Sequence, residues 1–83
     1  MEKRKRKSDP PIIVKELGSR ILELIRDKGL KIREVAHSAD LDVENLRKYI
    51  KGTQEMKIST MIKIASALKV SIEELFSFMN LSK

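Results

Sequence analysis

Apolar residues recur at intervals of three and four along short segments of this chain, and this spacing is the strongest constraint on its fold. In the first segment they are Val14, Leu17, Ile21, Leu24 and Ile25, with charged residues between them. Such spacing places the apolar side chains on one face of an α-helix. No segment alternates apolar and polar residues as a half-buried strand would. The chain is therefore predicted to be all-α, with five short helices.

Glycine and serine residues mark where several of these helices end or begin. Gly29 is predicted to end the first helix and Gly52 the third, because glycine readily adopts the left-handed backbone that follows a helix. Ser71 and Glu74 form a capping-box pattern, in which each side chain bonds the other residue's backbone N–H. This pattern predicts a fifth helix that extends to about Met79.

The fourth segment, "ISTMIKIASALK", illustrates the aliphatic character of the core. Aromatic residues are only 4% of the 83 residues, whereas hydrophobic residues are 41%. A chain of this length can build one small core, which aliphatic side chains must fill. In this segment, the side chains predicted to face the core are Ile58, Met61, Ile62, Ala65 and Leu68.

The second and third segments lie close enough in sequence to form a helix-turn-helix. The second segment, "KIREVAHSAD", has small residues at Ala36 and Ala39, which allow two helices to approach closely. Asp40 and Leu41 form the turn, because aspartate tolerates a left-handed backbone better than most residues. Asp42 is the expected N-cap of the third helix, with its side chain accepting hydrogen bonds from backbone N–H groups.

The third helix should have one buried and one outward face. Leu46, together with Tyr49 or Ile50, is predicted to anchor this helix to the core. At about 100° per residue, that orientation leaves a second set of side chains pointing outward together. These are Val43, Glu44, Arg47, Lys48 and Lys51.

The chain at this point resembles a known family. The stretch "LGSRILELIRDKGLKIREVAHSADLDVENLRKYIKG", followed by "MIKIASALKVSIEELF", is similar to the phage repressor/Cro-type, or lambda-repressor-like, helix-turn-helix domain. The resemblance covers Leu17 to Phe76 and implies a compact five-helix DNA-binding domain. Members of this family bind operator DNA, usually as homodimers on palindromes, and regulate transcription. The resemblance therefore implies a sequence-specific double-stranded DNA-binding transcriptional regulator, with recognition helix 43–51 in the major groove.

The resemblance also implies which residues contact DNA. The base-contacting positions of the family fall on Val43, Glu44, Arg47 and Lys48. Its phosphate-contacting positions fall on Asn45, Lys51 and Thr53. Further phosphate contacts are expected near two helix N-termini, whose backbone N–H groups favour phosphate oxygens. The basic residues at these two places are Lys31, Arg33 and Lys57.

Several positions depart from the family pattern. Ile32 replaces a glutamine that commonly contacts phosphate, and Lys69 replaces a glycine, so Lys69 is expected to adopt a left-handed backbone. A frequent buried Arg–Glu pair aligns with Ile25 and Ile50. Because packed apolar residues often replace a buried ion pair without loss of stability, these two isoleucines are predicted to be in direct contact.

Glu44 has two possible roles at the start of the recognition helix. Its carboxylate can accept a hydrogen bond from the N4 amino group of cytosine, which would be direct readout of sequence. It can equally repel phosphate and weaken non-specific binding. In either case Arg47, Lys48 and Lys51 would supply the attraction to DNA.

The formal charge of +6 is concentrated at the N-terminus. The first seven residues, "MEKRKRK", hold five basic and one acidic side chain, so the remainder carries only +2. We expect residues 1–11 to form a disordered basic arm, residues 12–79 the helix-turn-helix domain and residues 80–83 a flexible tail. The arm could follow the DNA backbone or enter a minor groove, or it could simply be a solubilising tail. Its basic residues are Lys3, Arg4, Lys5, Arg6 and Lys7.

Composition makes several other functions improbable. The chain has no cysteine and only one histidine, His37, so no metal site is expected. No nucleophile–base grouping suggests an enzyme, and no cofactor or small-molecule ligand is indicated. No apolar run is long enough to span a membrane, and no secretory signal is visible. We therefore expect a cytoplasmic protein, and the family resemblance implies a prokaryotic or phage origin and association with the nucleoid.

The expected partners are double-stranded DNA and a second copy of the chain. Phe78 and Met79 exceed the apolar surface that a small monomer can easily bury, which assigns them to a homodimer interface. The alternative is a protein-interaction module, an antitoxin or anti-repressor that uses the same helices against a protein partner. The acidic start of the third helix and the apolar Ile32 keep that alternative open.

Overall fold

The computed structural model describes residues 11–79, and this part of the chain contains five helices and no strand. In chain order they are α1 (Ile12–Asp27), α2 (Ile32–Ser38), α3 (Val43–Lys51), α4 (Ile58–Leu68) and α5 (Ile72–Leu75). The all-α, five-helix prediction is confirmed. The basic arm residues 3–7 and the tail 80–83 lie outside the described residues, whereas Pro11 is the N-cap residue of α1.

A single aliphatic core lies between the five helices. Helix α1 packs on α3 and α5, and α4 packs on α2 and α5. Complete burial of one Leu or Ile side chain stabilises the fold by roughly 1.5–3 kcal/mol. Ile25 is buried and Ile50 is half-buried against this core, while their direct contact stays a prediction. The largest fully buried side chains are Ile21, Ile25, Leu46, Ile64, Leu68, Leu75 and Val35.

Four residues adopt a left-handed backbone at the ends of helices. The φ angles are +66° at Gly29 and +75° at Gly52, as expected for glycines that follow a helix. Asp40, in the turn between α2 and α3, has a φ of 57°. Lys69 has a φ of 60°, so the chain adopts there the conformation that the family's glycine would favour.

The buried face of α4 differs from the predicted one. Ile58 and Ile62 are 73% and 53% exposed, although both were predicted to face the core. Thr60 and Ile64 are buried in their place, in line with Leu68. Helix α4 is apolar on more than one face, so periodicity alone could not decide its rotation. Packing against α2 and α5 determines that rotation and leaves the two isoleucines on the surface.

Helix α5 is shorter than predicted, because it ends at Leu75 rather than near Met79. Beyond Leu75 the backbone continues in tight turns. The N–H of Ser77 donates to the carbonyl oxygen of Glu74, and the N–H of Met79 donates to that of Phe76. Each of these bonds reaches back three residues instead of the four of an α-helix.

Two side chains hold this short helix in place. The Oγ of Ser71 accepts a hydrogen bond from the N–H of Glu74 at 3.0 Å, which is the Ser half of the predicted capping box. The Nη2 of Arg20 donates to the carbonyl oxygen of Glu74 at 3.1 Å. Its Nη1 pairs with the Oε1 of Glu23, also at 3.1 Å. Arg20 thus links α1 directly to α5.

Candidate nucleic-acid interface

A tight turn joins α2 to α3 and fixes the angle between them. Ala36 and Ala39 are buried, and the N–H of Leu41 donates to the carbonyl oxygen of Ala36 at 2.8 Å. The left-handed Asp40 reverses the chain direction immediately before Leu41. The half-buried Leu41 side chain packs against the core. The helix-turn-helix predicted from these residues is therefore present.

Helix α3 has one buried face and one exposed face. Leu46 is buried, which confirms its predicted role as an anchor to the core. Tyr49 is also buried and Ile50 only half-buried, so Tyr49 is the second anchor. Val43 was predicted to point outward but is half-buried against the core. Within residues 11–79, the side chains of the exposed residues of this helix make no hydrogen bond or ion pair. These exposed residues are Glu44, Arg47, Lys48 and Lys51.

The N-terminal end of α3 differs from the prediction in one respect. Asp42 occupies the N-cap position with extended backbone angles, but its side chain makes no capping hydrogen bond. The predicted bond from backbone N–H to this carboxylate is therefore wrong. Asp42 is exposed, so water can solvate the carboxylate in place of the helix N–H groups.

The C-terminal end of α3 is capped by residues that follow it. Gly52 donates its N–H to the carbonyl oxygen of Tyr49. The N–H and the Oγ1 hydroxyl of Thr53 both donate to the carbonyl oxygen of Lys48, at 3.1 and 3.2 Å. Thr53 was predicted to contact phosphate, and its hydroxyl proton is already used within the chain.

Helix α1 crosses the last turn of α3 at very short range. A β-carbon on Gly18 would collide with the carbonyl oxygen of Tyr49 and lie 2.5 Å from that of Ile50. A β-carbon on Gly52 would lie 2.6 Å from Cγ of Lys15 and 2.7 Å from its Cα. Helix α3 is therefore positioned by two glycines, one on each side of the crossing.

Sequence reasoning did not identify Gly18 as important for the position of α3. The available signal was a glycine in the middle of a helical pattern, where it destabilises the helix by about 1 kcal/mol relative to alanine. Such a glycine usually has a packing reason. The partner that approaches it belongs to another helix, so its identity required the tertiary structure.

The remaining predicted phosphate contacts lie around this helix. Lys31 and Arg33 are exposed at the start of α2, and Lys57 is exposed at the start of α4. The backbone N–H of Lys31 donates to Oε1 of Glu34 at 2.8 Å. One backbone N–H at the start of α2 is therefore already hydrogen-bonded within the chain. Asn45 is half-buried on α3.

An apolar surface lies beside α4. Ile58 and Ile62 are exposed on that helix, and Ile72 is 42% exposed on α5. An adjacent groove has a volume of about 310 Å³. Its lining consists of Ile13, Val14, Leu17, Glu55, Met56, Met61 and Phe76.

The described residues hold no cluster of His, Asp or Glu side chains suited to a metal ion. His37 is exposed on α2. Across the same 69 positions, 11–79, none of the helices is long and apolar enough to cross a membrane.

Comparison with known proteins gives consistent matches. Residues 20–80 match the family model of the Cro/C1-type HTH DNA-binding domain. An SPbeta prophage-derived HTH-type transcriptional regulator of Bacillus subtilis (strain 168), YopO, is 34% identical over 59 residues. That alignment covers 71% of this chain and 84% of the Bacillus protein.

Two solved structures share the fold. The restriction-modification controller protein C.AhdI from Aeromonas hydrophila superposes with a TM-score of 0.77 at 27% identity, over 80% of this chain and 100% of its own. The clp gene regulator ClgR from C. glutamicum has a TM-score of 0.75 at 24% identity, over 87% of this chain and 99% of its own. The second similarity concerns the fold alone.

Proposed function

Because the chain belongs to the Cro/C1-type helix-turn-helix DNA-binding family, we propose that it regulates transcription by binding an operator sequence with α3 in the major groove. One observation carries this proposal. Leu46 and Tyr49 fix the inner face of α3, so that one acidic and three basic side chains project together from its outer face. A major groove admits an α-helix, and side chains of this kind pair with base edges there.

The outward residues of α3 divide between base and phosphate contacts. Arg47 and Lys48 can donate to O6 and N7 of guanine, and Glu44 can accept from N4 of cytosine. Val43, half-buried at the start of the helix, can contact a thymine methyl group with its exposed part. Lys51 lies on the last turn, where a cation suits the backbone phosphates.

Residues outside the outer face of α3 add contacts that carry no sequence information. Phosphate contacts fix the orientation of a protein on the duplex without reading bases. We assign this role to Lys31, Arg33, Asn45 and Lys57, and to Thr53 through its uncommitted acceptor capacity for a bridging water. The basic arm, Lys3–Lys7, would follow the DNA backbone or enter the minor groove.

We infer that the protein binds as a homodimer through the apolar surface beside α4. Ile58, Ile62 and Ile72 are exposed although all three are large aliphatic residues, and the neighbouring groove is lined mainly by apolar side chains. Phe78 and Met79, which the sequence assigned to this interface, are half-buried against their own chain, so we propose a smaller part for them. A two-fold dimer would place two α3 helices about 34 Å apart, one turn of DNA. The matching operator is a palindrome.

Selection from random duplex DNA at near-physiological salt, with the full-length protein, tests this proposal. We expect enrichment of an inverted repeat whose half-sites lie about one helical turn apart. Binding that is salt-sensitive but sequence-blind would mean that the basic arm alone holds DNA. Absence of duplex binding would favour a protein partner for α3, as in an antitoxin or anti-repressor.

A further inference from the structure

Lys15 lies where α1 crosses the end of the recognition helix. Its Cα and Cγ are so close to Gly52 that a β-carbon on this glycine would be 2.7 and 2.6 Å from them. The aliphatic stem of Lys15 is therefore in contact with the backbone that ends α3, and its ammonium group extends three bonds beyond Cγ. The residue is exposed, so the charge remains available to a ligand.

No carboxylate in the described residues neutralises Lys15. The ion pair found between residues 11 and 79 joins Arg20 to Glu23 and does not involve Lys15. Its neighbour Glu16 points about 100° away around α1. Glu55 lines the groove on the Ile13 side of α1, which is about 200° from Lys15.

The C-terminal end of α3 carries positive charge. One hydrogen-bond donor that was expected to contact phosphate there is used within the chain. Lys48 and Lys51 are exposed on its last turn. Thr53, in contrast, uses its hydroxyl proton and its N–H to cap the carbonyl oxygen of Lys48. Lys15 is the donor that the tertiary structure brings to this end from a distant part of the sequence.

The length of α3 brings its last turn close to the DNA backbone. Its nine residues span roughly 13.5 Å, similar to the ~12 Å width of the major groove. When the first turn meets base edges, the last turn lies near phosphates that border the groove. Pro11 is only four residues, or about 6 Å along the helix axis, before Lys15. The basic arm is therefore joined to the domain on the same side.

We propose that Lys15 binds a DNA backbone phosphate next to the C-terminal end of the recognition helix. The Gly18–Gly52 crossing holds it there. The inference rests on the proposed function and adds a contact from α1, a helix to which no DNA contact was assigned from the sequence. Because phosphate is common to every site, Lys15 contributes affinity and salt dependence but no base preference.

The test measures binding of the full-length protein to its selected duplex between 50 and 200 mM salt. Lys15→Gln removes the charge and keeps most of the stem against Gly52, and Lys15→Arg keeps the charge. Lys63→Ala removes an exposed lysine from α4 as a control. For Lys15→Gln, the slope of log K against log salt should decrease in magnitude by about 0.9. The ratio of wild-type affinity to variant affinity should then be about 3.5-fold smaller at the higher salt concentration than at the lower one.

We further expect that Lys15→Gln keeps the preferred DNA sequence of the wild type. Lys15→Arg and Lys63→Ala should keep the wild-type slope of log K against log salt. A wild-type slope in Lys15→Gln would overturn the inference alone, because the charge of Lys15 would then make no contact with phosphate. Equal loss of slope in Lys63→Ala would also overturn it, because any surface charge would then suffice. If the wild-type protein binds no duplex DNA, the inference and the proposed function fail together.

Discussion

Glu44 is the one acidic side chain of α3, and it stands among three exposed basic residues of that helix. A carboxylate at this position is repelled by phosphate, so its net effect on non-specific DNA binding is unfavourable. Its favourable partner is a base-edge amino group, and in the major groove cytosine N4 is such a donor. In the proposed binding mode, Glu44 would therefore contribute to discrimination between sequences and not to affinity.

Replacement of Glu44 by alanine should relax sequence preference while binding stays equal or becomes tighter. The loss of one base contact is expected to reduce discrimination at a single operator position by about 1–3 kcal/mol. Competition between operator and altered duplexes measures this effect. Glu73→Ala, which makes the same charge change at an exposed position of α5, is the control. Unchanged preference in Glu44→Ala would remove this residue from readout.

Two glycines with similar φ angles allow backbone strain to be separated from close packing. A β-carbon on Gly29 would meet no atom within 4 Å, whereas one on Gly52 would strike Lys15. Gly29→Ala should therefore cost about 1–2 kcal/mol of folding free energy through left-handed strain alone. Gly52→Ala should cost about 1–3 kcal/mol more, because α1 must move away from α3. Urea unfolding of both variants gives the difference, and equal midpoints would contradict the close packing.

Among the elements, the existence of each helix was easier to predict than its rotation or length. Gly29, Gly52 and Ser71 are local signals, and each does mark a helix boundary in the structure. The rotation of α4 was not predictable, because burial of Ile64 instead of Ile62 depends on neighbours that are distant in sequence. The length of α5 was likewise overestimated, since a four-residue helix is stabilised by docking and not by its own propensity.

The docking of α5 gives a prediction at this scale. Arg20→Ala removes the guanidinium that binds the carbonyl oxygen of Glu74, which should cost about 1–2 kcal/mol and loosen α5 first. Hydrogen exchange at the amides of Leu75 and Phe76 should therefore accelerate more than exchange in α3. Arg26→Ala, at an exposed position of the same helix, is the control. Equal protection in both variants would show that α5 does not depend on Arg20.

For the whole molecule, sequence reasoning correctly gave the fold class and the regulator family, whereas its dimer interface stays a prediction. It assigned a dimer interface to Phe78 and Met79, which are half-buried against their own chain. The exposed large apolar residues include Ile58 and Ile62, which it had assigned to the core. Whether a side chain faces its own core or a second chain depends on how helices pack, and both choices satisfy the same periodicity.

Ile62→Lys tests the proposed interface, because the residue is already 53% exposed and its replacement should leave the monomer folded. We expect a shift toward monomer in sedimentation equilibrium, together with weaker binding to an inverted repeat than the wild type, because two linked half-sites bind more tightly than one. Binding to an isolated half-site should change little. His37→Lys, at an exposed position of α2, is the control for added charge. An unchanged association constant in Ile62→Lys would exclude this surface as the dimer interface.

The buried and the exposed face of α3 have different roles. Leu46 and Tyr49 join the helix to the core, whereas the exposed side chains make no hydrogen bond or ion pair among residues 11–79. Substitutions at such exposed positions usually change stability by less than about 0.5 kcal/mol. The domain is therefore a scaffold with an exchangeable outer face. Replacing the three exposed residues that are proposed to contact bases, Glu44, Arg47 and Lys48, would then change the target sequence and leave the fold unaltered.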